Sequence, residues 1–179
     1  MDNGLILREF QKDDAEALEA IICEAWHYND LCTVKTAHKL SKVFLSSCLT
    51  NQTYTQTAVL NGMPVGVIMA DNRRTHKCPI RYRIHQLLAV LSLFLSGEGR
   101  KVSNIFSCVS NIDQQLLAEC KTDYQGEVSF FAVADTMRKK GVGTQLFHSM
   151  LDYMKSQNIK IFFFSLIQAV TMDSTNIRV

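Results

Sequence analysis

A short glycine-containing segment carries the residue types best suited to chemistry in this sequence. Arg138, Lys139 and Lys140 are followed by Gly141, Val142 and Gly143, and an amphipathic stretch begins directly afterwards. The first N–H groups of a helix lack intrahelical partners and lie at the positive end of the macrodipole, so they bind anions. Glycines let a pyrophosphate approach the backbone. The pattern therefore predicts a diphosphate site formed by Arg138, Lys139, Lys140, Gly141, Val142, Gly143 and Thr144.

Other phosphate motifs fit this segment less well. No Gly-Lys-Ser/Thr follows at the spacing of a Walker loop, and the third glycine of a dinucleotide fingerprint is absent. An ordinary exposed loop, with glycines placed for turns, is the alternative interpretation.

Regular elements flank the segment on both sides. Residues 126–134 contain Glu-Val-Ser-Phe-Phe-Ala-Val, which predicts a strand, and Leu146, Met150 and Met154 recur at helical spacing after the loop. Residues 159–166 are nearly all apolar, as in a strand buried on both faces. The candidate residues therefore lie between a strand and a helix.

The first half of the chain predicts a strand, two helices and a hairpin. Asp13 is a candidate helix cap, with Glu16 three residues on as in a capping box. Asn61-Gly62 is a strong hairpin signal between two strand-like segments. The predicted elements are a strand at 5–9, a helix to Trp26, a loop at 27–34, a helix around 40–48, and strands at 53–60 and 64–70.

Residues 72–125 predict a helical insertion before the fourth strand. It opens with a basic run, continues through the apolar segment 84–95, breaks at Gly97-Glu98-Gly99 and resumes as helix to near Cys120. We expect these helices to pack over one end of the sheet, because the apolar segment needs burial. The basic run predicts a solvated loop, with contact to an acidic acceptor or nucleic acid as alternatives; it contains Arg73, Arg74, Lys77, Arg81 and Arg83.

Composition limits the class of protein. The chain has 179 residues, 47% of them apolar, and a net charge of +2, which suits one globular domain over 1–179 and makes nucleic acid an unlikely partner. The six cysteines form no Cys-x-x-Cys pair, so free buried thiols are expected and no metal site. The sequence has no signal peptide and no segment long enough to span a bilayer. We expect a cytoplasmic protein with no membrane partner.

The strand, loop and helix resemble the core of the GNAT superfamily of N-acetyltransferases. The family pattern Gln/Arg-x-x-Gly-x-Gly/Ala is matched at Arg138, Gly141 and Gly143, and the order of elements from residue 5 to about 166 is similar. The resemblance implies an α/β (α+β) fold with a mixed, mainly antiparallel twisted sheet flanked by helices.

The resemblance also implies a reaction. Acetyl-CoA would be the co-substrate, with its pantetheine chain along the strand at Phe131, Ala132 and Val133 and its pyrophosphate on the loop. The acceptor would be a primary amine of a small molecule or protein that attacks the thioester directly, with no covalent enzyme intermediate. Trp26 and Tyr28 lie where the family often shapes its acceptor pocket, although core packing is an equal alternative.

Glu127 is the candidate catalytic residue. An amine must lose a proton to attack, and a carboxylate can accept it. The spacing of Glu127 to Val133 is similar to that of the strand glutamate that serves as base in some family members. Regular alternation places Glu127, Phe131 and Val133 on one face, provided that no bulge intervenes. A solvent-facing glutamate at a strand end is the alternative.

The C-terminal end departs from the family pattern. Family members usually continue into a helix with an Asn…Tyr-Glu-x-x-Gly-Phe pattern and two further strands, whereas this sequence has Asn176 and no such tyrosine. A missing or diverged C-terminal end is therefore expected. A non-catalytic acyl-CoA-binding or regulatory module is the alternative function, and a homodimer is left open.

Overall fold

The fold is built on a five-stranded sheet in the order β1-β2-β3-β4-β5. A computed structural model describes residues 4–75, 78–103 and 122–164. The first four strands pair antiparallel, and β4 pairs with β5 in parallel. This confirms the mixed, mainly antiparallel sheet. The strands are β1 Leu5–Arg8, β2 Tyr54–Leu60, β3 Met63–Asn72, β4 Gly126–Val133 and β5 Phe162–Phe164.

Helices cover both faces of the sheet. The helices α1 and α3 lie on one face and α6 lies on the other, so the strands are enclosed between two layers. The helices are α1 Ala15–Ala25, α2 Tyr28–Leu31, α3 Val34–Thr50, α4 Ile80–Phe94, α5, of which residues 97–103 are described, and α6 Val142–Ser156.

Two hydrophobic cores result from this arrangement, one on each face. Beneath α1 and α3, Leu18 and Ile22 pack with Val67, Met69 and Phe130 from the strands. Beneath α6, the core contains Ile68, Val128, Leu146, Met150 and Met154. Val67, Ile68 and Met69 alternate between the cores because successive strand side chains point to opposite faces.

The start of α1 differs from the prediction that Asp13 caps it. Gln11 and Asp14 form the capping box around a short 3₁₀ turn, and the Asp14 carboxylate accepts a hydrogen bond from the Gln11 N–H at 2.8 Å. The same carboxylate binds both guanidinium nitrogens of Arg8 at 2.7 Å. Asp14 therefore ties the end of β1 to the first helix, a role that Asp13 cannot share from one residue earlier.

The hairpin between β2 and β3 agrees with its sequence signal. Asn61 and Gly62 both have positive φ, at 51° and 82°, as a type I′ turn requires. The predicted loop at 27–34 is only partly correct, because Tyr28–Leu31 form the single turn α2. Tyr28 anchors that turn in the core with 2% of its surface exposed.

The insertion is helical in its described part. Helices are present as predicted at Ile80–Phe94 and 97–103, but the interruption lies at 95–96 and not at Gly97-Glu98-Gly99. The prediction that the helices pack over one end of the sheet is wrong for α4, because α4 packs along α3. Ala89 and Leu93 face inward, and the Lys39 ammonium donates a hydrogen bond to the Ser92 carbonyl at 2.7 Å. Lys77, the helical stretch predicted up to Cys120, and residues 165–179 with Asn176 lie outside the described residues.

Glu98 in α5 supplies the cap that α3 lacks. The Thr33 side chain makes no capping hydrogen bond to its own helix. The Glu98 carboxylate instead accepts hydrogen bonds from the Thr33 N–H at 3.0 Å and from the hydroxyls of Thr33 and Thr36. A negative charge at a helix N-terminus is favourable, so Glu98 fastens the insertion to the core.

We expect Glu98→Gln to lower the melting temperature at about pH 7. Hydrogen bonds from Thr36 and Thr33 lower the pKa of Glu98 below its ordinary value. A carboxylate with a lowered pKa stabilises the fold above its unfolded pKa of about 4.3, and this stabilisation is lost as the pH falls through the folded pKa. Thermal melts should therefore show a difference between the two proteins that shrinks below about pH 4.3. The exposed Glu24→Gln is the control, and a pH-independent difference would contradict this assignment.

Candidate functional site

The segment singled out in the sequence joins the end of β4 to the start of α6. The Ala134 N–H donates a hydrogen bond to the Val65 carbonyl at 2.9 Å, which holds the chain against β3 as it leaves the sheet. A 3₁₀ turn at Asp135–Met137 follows. The loop therefore leaves from a fixed point on the sheet.

Three basic side chains surround this loop. Arg138 forms an ion pair with Asp135 at 2.7 Å, and both side chains are about half exposed. Lys139 and Lys140 are exposed. Sequence reasoning missed Asp135, although an acid three residues before an arginine is a recognisable ion-pair signal. The loop keeps an excess of positive charge, because one carboxylate faces three cations.

Gly141 has the backbone geometry of a glycine-specific position. Its φ is +82°, in the left-handed region, and it is the N-cap of α6 without a capping side chain. A Cβ added at Gly141 would meet no atom of the described residues within 4 Å. The space beside the first turn of α6 is therefore open, and its N–H groups have no helical acceptor.

The rest of the loop is held from below. The Val142 side chain is buried in the core under α6, with 1% of its surface exposed. A Cβ at Gly143 would lie 3.4 Å from Phe131 and 3.6 Å from Val133. The structure thus brings the predicted loop residues against the predicted strand residues. Because its side chain is buried, Val142 can contact a ligand only through its backbone.

One edge of β4 is available near these residues. The described pairing between β4 and β5 runs from Gly126 to Val128 and ends at the pair Val128–Phe164. Within the described residues, Phe131, Ala132 and Val133 pair with β3 on one edge and with no strand on the other. Strand edges offer N–H and C=O groups to an extended ligand.

Two aromatic rings that sequence reasoning missed, Phe147 and Phe164, line the α6 side of this edge together with Phe131. Phe147 of α6 lies between Phe131 and Phe164, with ring centroids 6.5 Å and 6.3 Å away. These three rings form an apolar wall from β4 across to β5. Helical periodicity could not identify Phe147 as a site residue, because periodicity alone does not show which strands a side chain contacts.

A bulge at Ser129 changes the face to which Glu127 belongs. Met69 pairs with Phe130 and Ala70 pairs with Val128, so Ser129 is the extra residue. Phe131 and Val133 pack in the core under α6. The expectation that Glu127 shares a face with Phe131 and Val133 required a strand without a bulge, and it is not met. Glu127 lies on the face opposite to these two residues, towards α3.

Glu127 lies close enough to Cys48 of α3 for its charge to act on the Cys48 thiol. Burial, together with the negative charge of Glu127, raises the pKa of the Cys48 thiol. The thiol also lies 3.6 Å from the Ser129 carbonyl, to which it donates. Glu127 and Phe131 therefore stand on the two sides of the same strand.

The candidate acceptor side is aromatic. Tyr28 is a core residue, whereas Trp26 is partly buried and packs on Phe44 with ring centroids 5.5 Å apart. Phe44 in turn meets Phe130 of β4 edge to face at 5.2 Å. Tyr28 is thus buried in the core, and Trp26, for which core packing is the alternative, packs against the core in a row of rings that reaches β4.

Other kinds of site are not seen in the described part of the chain. No group of three His, Cys, Asp or Glu side chains there could hold a metal ion. Cys23, Cys32, Cys48 and Cys78 are free thiols, of which Cys48 is buried. None of the described helices is long and apolar enough to cross a membrane.

Comparison with known proteins shows which family the region of the loop resembles. The sequence model of the Acetyltransferase (GNAT) family matches residues 106–176, which include β4, the loop and α6. The part of the chain that carries the loop is therefore similar in sequence to the Acetyltransferase (GNAT) family. No curated protein has a significant match to the chain.

Solved acetyltransferase structures resemble the chain at low sequence identity. A GNAT family acetyltransferase from Brucella melitensis in complex with acetyl-CoA is 10% identical, with a TM-score of 0.45 over 88% of this chain and 72% of that chain. The PaiA N-acetyltransferase from Thermoplasma acidophilum in complex with coenzyme A is 12% identical, with a TM-score of 0.43 over 87% and 74%. At this level of similarity, no residue of this chain is assigned a function from these structures.

We expect Gly141→Ala and Gly143→Ala to change stability in opposite directions. At Gly141 the left-handed φ costs any residue with a Cβ about 1 kcal/mol. At Gly143 the new methyl group would make ordinary contacts and would favour the helix by about 0.5 kcal/mol. Chemical denaturation of the two variants measures this. Equal effects would contradict the loop geometry.

Proposed function

We propose that the protein transfers an acetyl group from acetyl-CoA to a primary amine of a small molecule or a protein. The observation that carries this proposal is the open first turn of α6, with Gly141 at its N-cap and three basic side chains around it. An anion of the size of a pyrophosphate fits such a turn. The family match over the same residues supports the assignment.

Acetyl-CoA fits the residues around this turn. The N–H groups of Val142, Gly143 and Thr144 would receive the pyrophosphate, with Arg138, Lys139 and Lys140 adding positive charge. The free edge of β4 at Phe131, Ala132 and Val133 would pair with the amide groups of pantetheine. The wall formed by Phe131, Phe147 and Phe164 would shield the thioester end from water.

The proposed reaction is a direct displacement. The amine nitrogen attacks the thioester carbonyl, the new N–C bond forms and the C–S bond breaks, so that CoA leaves as its thiolate. The proton of the amine must go to a base, because most alkyl amines are protonated at neutral pH. Acetyl-CoA supplies the activated acyl group, and the protein supplies position and the base.

We propose that Glu127 is this base. The bulge at Ser129 directs Glu127 to the α3 side of β4, whereas the side chains of Phe131 and Val133 face α6. An acceptor amine that enters from the α3 side would thus meet the carboxylate before the thioester. Trp26 and Phe44 lie on that same side, and they would contact the apolar part of an acceptor.

We expect Gly141→Asp to weaken CoA binding at least tenfold, which is about 1.4 kcal/mol. The new carboxylate would stand in the open space beside the first turn of α6 and repel the pyrophosphate. Isothermal titration calorimetry with CoA measures the change. Gly62→Asp is the control, because Gly62 has the same φ of +82° and equally open surroundings in the β2–β3 turn. Unchanged affinity in Gly141→Asp would place the phosphate site elsewhere.

We expect Glu127→Gln to reduce turnover by about 10²-fold or more at neutral pH, with CoA affinity unchanged. Glutamine keeps the shape and cannot accept the proton, so the rate should partly recover at high pH, where the free amine is more abundant. A screen of amines with acetyl-CoA, read by the release of free thiol, identifies the acceptor and then measures the variant. The exposed Glu16→Gln controls for loss of charge. A full rate in Glu127→Gln would refute its assignment as the base.

A non-catalytic acyl-CoA-binding module is the second candidate function. Its support is the sequence of residues 167–179, which does not show the Asn…Tyr-Glu-x-x-Gly-Phe pattern expected from the resemblance. The two functions differ in one result. CoA binding without thiol release for any amine favours the module, whereas transfer to one acceptor favours the enzyme.

A further inference from the structure

The outward face of α4 is apolar along its whole length. Tyr82, Ala89 and Leu93 are turned inward and pack with α3. At about 100° per residue, the large side chains of the opposite face fall within an arc of about 120°. This stripe consists of exposed Ile80, Ile84, Leu87, Leu88, Leu91, Phe94 and Leu95. A continuous exposed apolar surface on this scale marks an interaction site.

Positive charge flanks the stripe on both sides. On the same helical projection, Arg81 lies beside one edge of the arc and Arg83 beside the other, and both are exposed. Arg73 and Arg74 precede the helix, and no Asp or Glu occurs between Asp71 and Glu98. The partner of the stripe is therefore apolar at its centre and anionic at its border.

A groove adjoins the Arg81 edge of the stripe, and its lining also combines apolar and basic side chains. It has a volume of about 440 Å³ and lies between α1, α3 and the start of α4. Phe10, Leu45, Leu49 and Tyr82 supply apolar surface, and four basic side chains line it as well: Lys12, Lys42, Arg81 and His85. The acid among its lining residues, Glu19, is nearly buried and lies 3.5 Å from the His38 ring nitrogen.

We propose that the stripe on α4 docks onto an anionic lipid surface. The apolar side chains would enter the boundary between headgroups and acyl chains, and the arginines on both edges would bind lipid phosphates. The groove beside Arg81 would receive an anionic headgroup at its basic rim. The sequence argument against a membrane partner was that no segment is long enough to span a bilayer. Docking on the membrane surface does not require a membrane-spanning helix, and none is found among the described residues.

A second copy of the chain fits this surface less well. Two stripes facing each other would bring their arginines together, and α4 carries no acidic side chain to pair with them. Anionic lipids supply the missing negative charge at about 1 kcal/mol per basic residue near the surface.

Vesicle flotation tests the proposal with the full chain. We expect binding to vesicles that contain phosphatidylglycerol, weaker binding to phosphatidylcholine alone, and weakening by salt. Leu88→Glu should reduce binding at least about tenfold by opposing insertion, and Arg81→Ala or Arg83→Ala should each reduce it about fivefold. Met63→Glu, at a similarly exposed residue at the start of β3, should bind like the wild type.

Three outcomes would overturn the proposal. If Leu88→Glu and the wild type bind vesicles equally, the stripe does not contact the lipid surface. A dimer that fails to bind vesicles, and that Leu88→Glu converts to a monomer, would assign the stripe to a second copy. If the wild type is a monomer and does not bind anionic vesicles, the stripe would be assigned to a contact with other residues of the same chain. Unchanged melting temperatures of the variants show that each result reports docking and not unfolding.

Discussion

The bulge at Ser129 in β4 is the constraint on which the candidate site depends. β4 lies between β3 and β5 and between two hydrophobic cores, so each of its side chains must enter one core or the other. One extra residue shifts the alternation by one position. Phe131 and Val133 therefore support the loop from the α6 side, and Glu127 faces α3. The side chains before and after the bulge thus reach different faces of one strand.

The glycine loop is held by the packing of α6. Leu146, Met150 and Met154 are fully buried, and each such side chain stabilises the fold by about 1.5–3 kcal/mol. That burial exceeds the strain of the left-handed residues Lys139 and Gly141. The helix can therefore begin directly after these strained residues, with open space beside its N-cap Gly141. A phosphate site needs this arrangement, because a gradual turn would pair those groups internally.

Sequence patterns predicted the elements better than their contacts. Asn61-Gly62 identified its turn because only a few residues adopt positive φ at both positions, and the loop glycines were found by the same principle. The bulge left no such signal, since Ser129 is an ordinary strand residue, and Glu127 was consequently assigned to the wrong face. Glu98 caps a helix more than sixty residues earlier in the chain. No local pattern encodes that contact, because it depends on how α5 returns to α3.

The position of the insertion decides whether its proposed lipid contact is compatible with catalysis. α4 packs on the outside of α3, so its apolar stripe faces away from the sheet on the α1 and α3 side. The phosphate loop begins α6, which covers the opposite face of the sheet. A lipid surface on α4 would thus leave the open turn at Gly141 in water, where CoA can reach it. The two proposed contacts therefore use different surfaces and can be occupied together.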